Sequence, residues 1–134
     1  MNTHGPEIIF DENLQNVDLQ ELHTFDDIPH QITSHNNVFY VTTRSFRWPY
    51  AGWIVGLSEQ DGNWQEWKIS ETPPEPELIL SYGEYVYWSS KQSLTRSDID
   101  GGTFDMIASQ TTVGGLTQSN DSIWWTDRKG GRLF

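Results

Sequence analysis

The chain has 134 residues, enough for one ordinary domain or for about three units of four short strands each. Nineteen acidic residues against eight basic ones give a net charge of −11, a surface that repels phosphate backbones and so disfavours nucleic acid as a partner. With no cysteine, disulfides, thiolate catalysis and zinc-thiolate sites are excluded.

Only 35% of the residues are hydrophobic, yet seven are Trp, and Gly, Ser and Thr are plentiful. That balance favours strands and turns in a half-exposed β architecture over a helical bundle. The opening Met-Asn-Thr-His-Gly-Pro-Glu lacks the basic segment and apolar run of a secretory signal. No apolar stretch has the length needed to cross a bilayer, so the chain reads as soluble, with no membrane association.

From the N-terminus, two extended runs are expected, Glu7 to Asp11 and Val17 to Thr24. In the second, Val17, Leu19 and Leu22 also fit helical spacing, but strand is the expectation because the neighbouring runs are strand-like. After a connection at Asp26-Asp27-Ile28-Pro29, one pattern appears three times. The first copy is Gln31-Ile32-Thr33, a turn over Ser34 to Asn37, then Val38-Phe39-Tyr40-Val41-Thr42. The second is Leu78-Ile79-Leu80, a turn over Ser81 to Glu84, then Val86-Tyr87-Trp88-Ser89-Ser90. The third is Leu116-Thr117-Gln118, a turn over Ser119 to Ser122, then Ile123-Trp124-Trp125-Thr126-Asp127.

The stretch from Glu77 to Ser109 is the complete unit, with Leu94 to Ile99 and Phe104 to Ala108 as third and fourth strands beyond the Lys91-Gln92 and Asp100-Gly101-Gly102 turns. In the first unit the corresponding strands are Trp53 to Leu57 and Trp64 to Ile69, around a Gln60-Asp61-Gly62 turn. An insertion over 44–52 lengthens this unit. Aligned on their second aromatic, Tyr40, Trp88 and Trp125 are 48 and 37 positions apart, against roughly 40 to 50 residues for a four-stranded propeller blade. The Pro-rich run Thr72 to Pro76 reads as a connection between units, since Pro is tolerated where no ladder N–H is needed. After the turn at Arg128 to Gly131 the third unit holds only Arg-Leu-Phe and lacks a fourth strand.

Ile-Trp-Trp-Thr-Asp at 123–127 and Val-Tyr-Trp-Ser-Ser at 86–90 resemble the second-strand signature of the YWTD propellers known from low-density lipoprotein receptors. Leu94 to Gly102, ending Asp-Ile-Asp-Gly-Gly, is similar to the third strand and turn of that repeat and of related bacterial repeats. The resemblance covers about Ile28 to Phe134; only the third copy keeps Trp-Thr-Asp. It implies an all-β chain of four-stranded antiparallel meander blades forming part of a six-bladed propeller. The units are then 7–27 (terminal strands of a split blade), 28–71 (blade with the insertion), 72–110 (complete blade) and 111–134 (incomplete blade). Relatives of this kind are often secreted or at the cell surface.

A blade buries its faces only against neighbours. An open arc with two bare faces of about 500 Å² each would forfeit roughly 12 kcal/mol per face. The expectation is therefore a homodimer of half-propellers closing a six-blade ring, each C-terminal half-blade completed by the other chain's N-terminal strand. The chain is otherwise a piece of a longer propeller, or a truncated product with no role of its own.

In a meander, the links from second to third strand and from fourth strand to the next blade leave on one rim. That rim is expected to carry Arg44, Phe46, Arg47, Trp48 and Tyr50 beside the carboxylates of 71–77, as a surface for a protein, peptide or glycan, because aromatics and Arg dominate interface anchors. Trp48 and Trp53 folding back over the blade edge is the competing reading. Phe39, Tyr40, Tyr87, Trp88, Trp124 and Trp125 are expected to pack between blades. No cofactor is expected. His4, His23, His30 and His35 show no metal-ligand spacing, and Asp98 and Asp100 read as turn caps. No nucleophile elbow, phosphate loop or dinucleotide fingerprint is present. A binding or scaffolding module is the first reading. A metal-dependent lactonase or lyase, with channel ligands near Gln31, Glu77 and Gln118, is the second.

Overall fold

The computed structural model describes residues 19–47, 51–72, 76–100 and 104–134. Short runs rich in β-branched and aromatic residues, separated by two-residue turns, fold as successive antiparallel hairpins. The first four strands are β1 (Ile28–His35), β2 (Val38–Arg44), β3 (Gly52–Gln60) and β4 (Asn63–Thr72), paired in chain order as sheet 1. Sheet 2 repeats this with β5 (Ile79–Tyr82), β6 (Tyr85–Ser90), β7 (Ser93–Asp98) and β8 (Phe104–Ser109). Sheet 3 has β9 (Val113–Ser119), β10 (Ser122–Asp127) and the two-residue β11 (Arg132–Leu133). The described residues contain no helix.

The tight turns follow from residue type. A hairpin turn of type I′ needs positive φ at both central positions, which Asn, Asp and Gly accept most readily. Asn36 and Asn37 (49° and 64°), Asp61 and Gly62 (52° and 82°), and Asn120 and Asp121 (50° and 63°) supply it.

The first strands of the sheets lie side by side. Thr33 Oγ1 and Ser81 Oγ are 3.2 Å apart, and the Ser81 hydroxyl donates to the Ser34 carbonyl at 2.7 Å. The Tyr82 hydroxyl donates to Asp121 Oδ1 at 3.2 Å, tying the β5–β6 turn to the β9–β10 turn. Between sheets 1 and 2, Tyr40, Ile54, Val86 and Trp88 form the core, with Val38, Ile69, Ile79 and Ile99 against it.

The hairpin registers fix how the three copies correspond. Closing pairs are His35–Val38, Tyr82–Tyr85 and Ser119–Ser122. Counting from these, Tyr40 corresponds to Tyr87 and Trp124, while Val41 corresponds to Trp88 and Trp125. The alignment on the second aromatic, which paired Tyr40 with Trp88 and Trp125, is therefore one residue out in the first copy. The reason is that Val41 occupies the position that holds Trp in the other two, so the aromatic pair Phe39-Tyr40 starts one residue early. Since a one-residue slip moves a side chain to the other face, the correction decides direction. Tyr40 and Tyr87 face the following sheet; Trp88 and Trp125 face the preceding one.

Hydroxyls at the next position do a shared task. The Gln31 N–H donates to Thr42 Oγ1 and the Leu78 N–H to Ser89 Oγ, both at 3.0 Å. Each satisfies a backbone donor of the first strand from the second.

The strand expected over Val17–Thr24 is not formed in its described part: residues 19–25 run without regular pairing, and Leu19 and Leu22 are half exposed. A strand needs an edge to pair with, and this segment instead meets sheet 1 through side chains. His23 Nε2 lies 2.7 Å from Glu66 Oε2 on β4, and the His23 ring meets Phe25 edge-on. On the outer face of sheet 1, Val41, Val55 and Leu57 are buried, while Ile32, which pairs with Val41 and shares that face, is 59% exposed.

Candidate functional site

Register pairs Arg44 with Gly52, and Gly52 with Thr72. The β2–β3 loop and the chain leaving β4 therefore emerge at the same end of sheet 1. The loop's neck is closed by the Ser45 N–H donating to the Ala51 carbonyl at 2.9 Å, and the Ser45 hydroxyl donates to the Arg47 carbonyl at 2.8 Å. Arg44 and Arg47 are exposed, and Phe46 is 66% exposed. Trp48 and Tyr50 lie outside the described residues. Trp53 is half-buried in β3, with Lys68 Nζ 4.2 Å from its ring centre.

The corresponding turns of the other sheets leave at this end too. Ser90 pairs with Ser93 and Ser93 with Ser109, which places Lys91 and Gln92 there. The Thr111 N–H donates to the Gln92 carbonyl, and the Arg128 N–H to the Thr112 carbonyl, linking the sheet 2 and sheet 3 turns. Six of the eight basic residues (Arg44, Arg47, Lys91, Arg128, Lys129 and Arg132) are thereby gathered at one rim. Asp26, Asp27, Glu71 and Glu77 lie at the same end, so its charge is mixed. The opposite turns carry Glu59, Asp61, Glu84, Asp98, Asp100 and Asp121, with no Lys or Arg among the described residues.

Asp127 organises the rim turn of sheet 3. Its side chain is 3% exposed. Oδ1 accepts from the Thr112 and Lys129 N–H groups, and Oδ2 accepts from both Nε and Nη2 of Arg132, at 3.2 and 2.7 Å. The Arg132 guanidinium, helped by the Gly130 and Thr112 N–H groups, holds this carboxyl below the usual carboxylate range, against the opposing effect of burial. At the equivalent position of sheet 2, Ser90 and Ser93 hydroxyls meet at 2.9 Å. In sheet 1 the buried Thr43 hydroxyl has no partner among the described residues. The Trp-Thr-Asp copy thus has a charged clamp where the others have a hydroxyl.

The six aromatics divide by direction. Tyr40 and Trp88 fill the seam between sheets 1 and 2. Tyr87 and Trp125 line the cleft between sheets 2 and 3. Phe39 packs on Trp64 at 6.0 Å, on the outer face of sheet 1. Trp124 is 40% exposed on the outer face of sheet 3, its Nε1 donating to the Ser119 carbonyl.

A second constellation is not evident from the sequence. Arg96 lies 4.2 Å from the centre of the Tyr85 ring and opposite Tyr87 in the register of β6 and β7; these two tyrosines push its already high pKa further up. The only signal is register: alternation puts Tyr85, Tyr87 and Arg96 on one face, but nothing in the chain order says that β6 and β7 pair as they do. Among the described residues, no group of three or more His, Asp or Glu side chains converges on one point.

No model of a known protein family matches the chain, and no curated protein is significantly similar to it. No helix of the described residues is long and apolar enough to cross a membrane.

Proposed function

We propose that this chain is a binding and scaffolding module made of consecutive β-propeller blades, in which two copies close a six-bladed ring of the YWTD kind and present the Arg44–Phe46–Arg47 rim to a protein, peptide or glycan. The observation that carries the reading is the fate of one position. Tyr40 is packed against the next sheet and Tyr87 is buried facing the next sheet across a cleft, whereas Trp124, at the same position of sheet 3, is 40% exposed. Leu133, which pairs with Thr126 and so shares the Trp124 face, is 66% exposed. A further sheet on that face would bury it as the others are buried.

The segment before β1 supports the same assembly. Its His23–Glu66 contact holds it against the outermost strand of sheet 1, which is where the outer strand of a preceding blade belongs. Supplied to β11 of another copy, it would protect the open edge of sheet 3. At the rim, an exposed Phe between two Arg side chains is the composition of an interface anchor.

Light scattering on the purified chain tests the assembly. The expected mass is twice the 15.5 kDa of one chain, and Trp124→Glu, which places a charge in the closing face, should return it to monomer. A wild-type monomer sinks the ring. Binding to peptide and glycan arrays, compared with a Phe46→Ser/Arg47→Glu variant of unchanged mass, tests the rim separately.

A further inference from the structure

The cleft between sheets 2 and 3 is independent of that rim. It measures about 420 Å³, within the roughly 300–1,000 Å³ of small-molecule sites. Leu94 and Met106 wall it from sheet 2, and Ile123 and Trp125 from sheet 3. Its polar groups are grouped on one side by register: Tyr87 pairs with Arg96, and Arg96 with Asp105.

The charges there are unsaturated in a particular way. The Arg96 guanidinium lies 4.2 Å from the centre of the Tyr85 ring, which orients it toward the cleft edge. Its Nη2 is 3.9 Å from Asp105 Oδ2, an ion-pair distance but too long for a hydrogen bond. Its Nε–H has no partner among the described residues, and the Asp105 side chain is 72% exposed. A donor fork and a carboxylate thus stand side by side, each with capacity left over, at the edge of an apolar cleft.

We propose that this cleft binds a free α-amino acid with an apolar side chain, the carboxylate seated on Arg96, the ammonium on Asp105 and the side chain between Leu94, Met106, Ile123 and Trp125. Charge complementarity selects this occupant. A simple anion would meet Asp105 and a chain of net charge −11, and a simple cation would meet Arg96. A zwitterion, whose two charges are separated by a single carbon, matches both at once. The apolar walls give preference to Leu- or Phe-like side chains over glycine.

The test is titration with L-phenylalanine, read by saturation-transfer NMR and tryptophan emission. Parallel titrations use N-acetyl-L-phenylalanine, which keeps only the carboxylate, L-phenylalaninamide, which keeps only the ammonium, and glycine, which has no side chain. L-Phenylalanine should bind at least about tenfold more tightly than each. Asp105→Asn, a change at an exposed side chain, should weaken L-phenylalanine to the level of the N-acetyl compound and leave the latter unchanged. Arg96→Gln should weaken both carboxylate ligands, with circular dichroism checking its fold. Absence of saturable binding overturns the proposal. So does equal affinity for the singly charged analogues, or an Asp105→Asn variant that binds L-phenylalanine like the wild type.

Discussion

Replacing Trp88 separates two contributions at the seam between sheets 1 and 2. The side chain is 1% exposed among Tyr40, Ile54 and Val86, and its Nε1–H has no hydrogen-bond partner among the described residues. Trp88→Ala removes the whole ring and should cost about 3–5 kcal/mol. That is a large share of the roughly 5–15 kcal/mol that holds a domain together. Trp88→Phe removes about two to three methylene equivalents, worth about 2 kcal/mol, but also removes the unpartnered N–H, whose burial costs about 1–3 kcal/mol. The two changes oppose each other, so the net effect should lie within about 1 kcal/mol of zero. Urea unfolding followed by far-ultraviolet circular dichroism measures both variants without relying on emission from the remaining Trp residues. A Phe variant as unstable as the Ala variant would show that the N–H is satisfied. An Ala variant costing less than about 1 kcal/mol would mean that the two sheets do not share a core.

At Asp127, clamped by Arg132, the folded carboxyl titrates below its unfolded value of about 3.9. Its contribution is therefore present above that unfolded value and is lost as pH falls through the lower folded one. Asp127→Asn should lower Tm at pH 7 and flatten the acid limb of a Tm–pH profile; an unchanged acid limb would mean that the clamp does not couple to folding. At Gly56, a Cβ would run into the Trp67 ring. Gly56→Ala should cost about 1–3 kcal/mol by overpacking, and Trp67→Ala in the same chain should recover most of it. Equal costs in both backgrounds would place the strain elsewhere.

Strand positions were legible because both signals that mark them are local. Turn residues such as Asn36-Asn37 and Asp61-Gly62 are chosen for their own backbone angles, and the runs between them alternate. The insertion over 44–52 was visible for the same reason: β2 ends at Arg44 and β3 begins at Gly52. Phase and depth are beyond the reach of local signals. Val41 fills a Trp position in the first copy, so matching aromatic to aromatic shifted that copy by one residue. The segment after Val17 has strand-like composition, but pairing requires a free edge, and composition does not reveal which edges are free. Arg96 was missed because its partners Tyr85, Tyr87 and Asp105 come from neighbouring strands on either side.

The corrected phase gives each position of the repeat a direction, and direction explains why the copies differ. A residue facing forward looks toward the next sheet in the chain: Tyr40 is packed against it, Tyr87 is buried facing it across a cleft, and Trp124, with no following sheet among the described residues, is 40% exposed. A residue facing backward is buried by the sheet or segment before it, so Trp88 is enclosed by sheet 1, while Val41 and Val55 lie on the face where the segment containing His23 meets Glu66. Trp125 is the intermediate case. It faces sheet 2 across a cleft rather than a filled seam, and the ring stacked on it, at 5.3 Å and 17°, is Phe134 of its own sheet. If sheets 2 and 3 packed as sheets 1 and 2 do, Leu94 and Trp125 would close on each other as Ile54 and Trp88 do. Arg96 held over Tyr85 keeps a charged group at that junction instead. Closing that seam would bury the Arg96 guanidinium, whose side chain is 35% exposed, without a full set of partners, and such burial is costly.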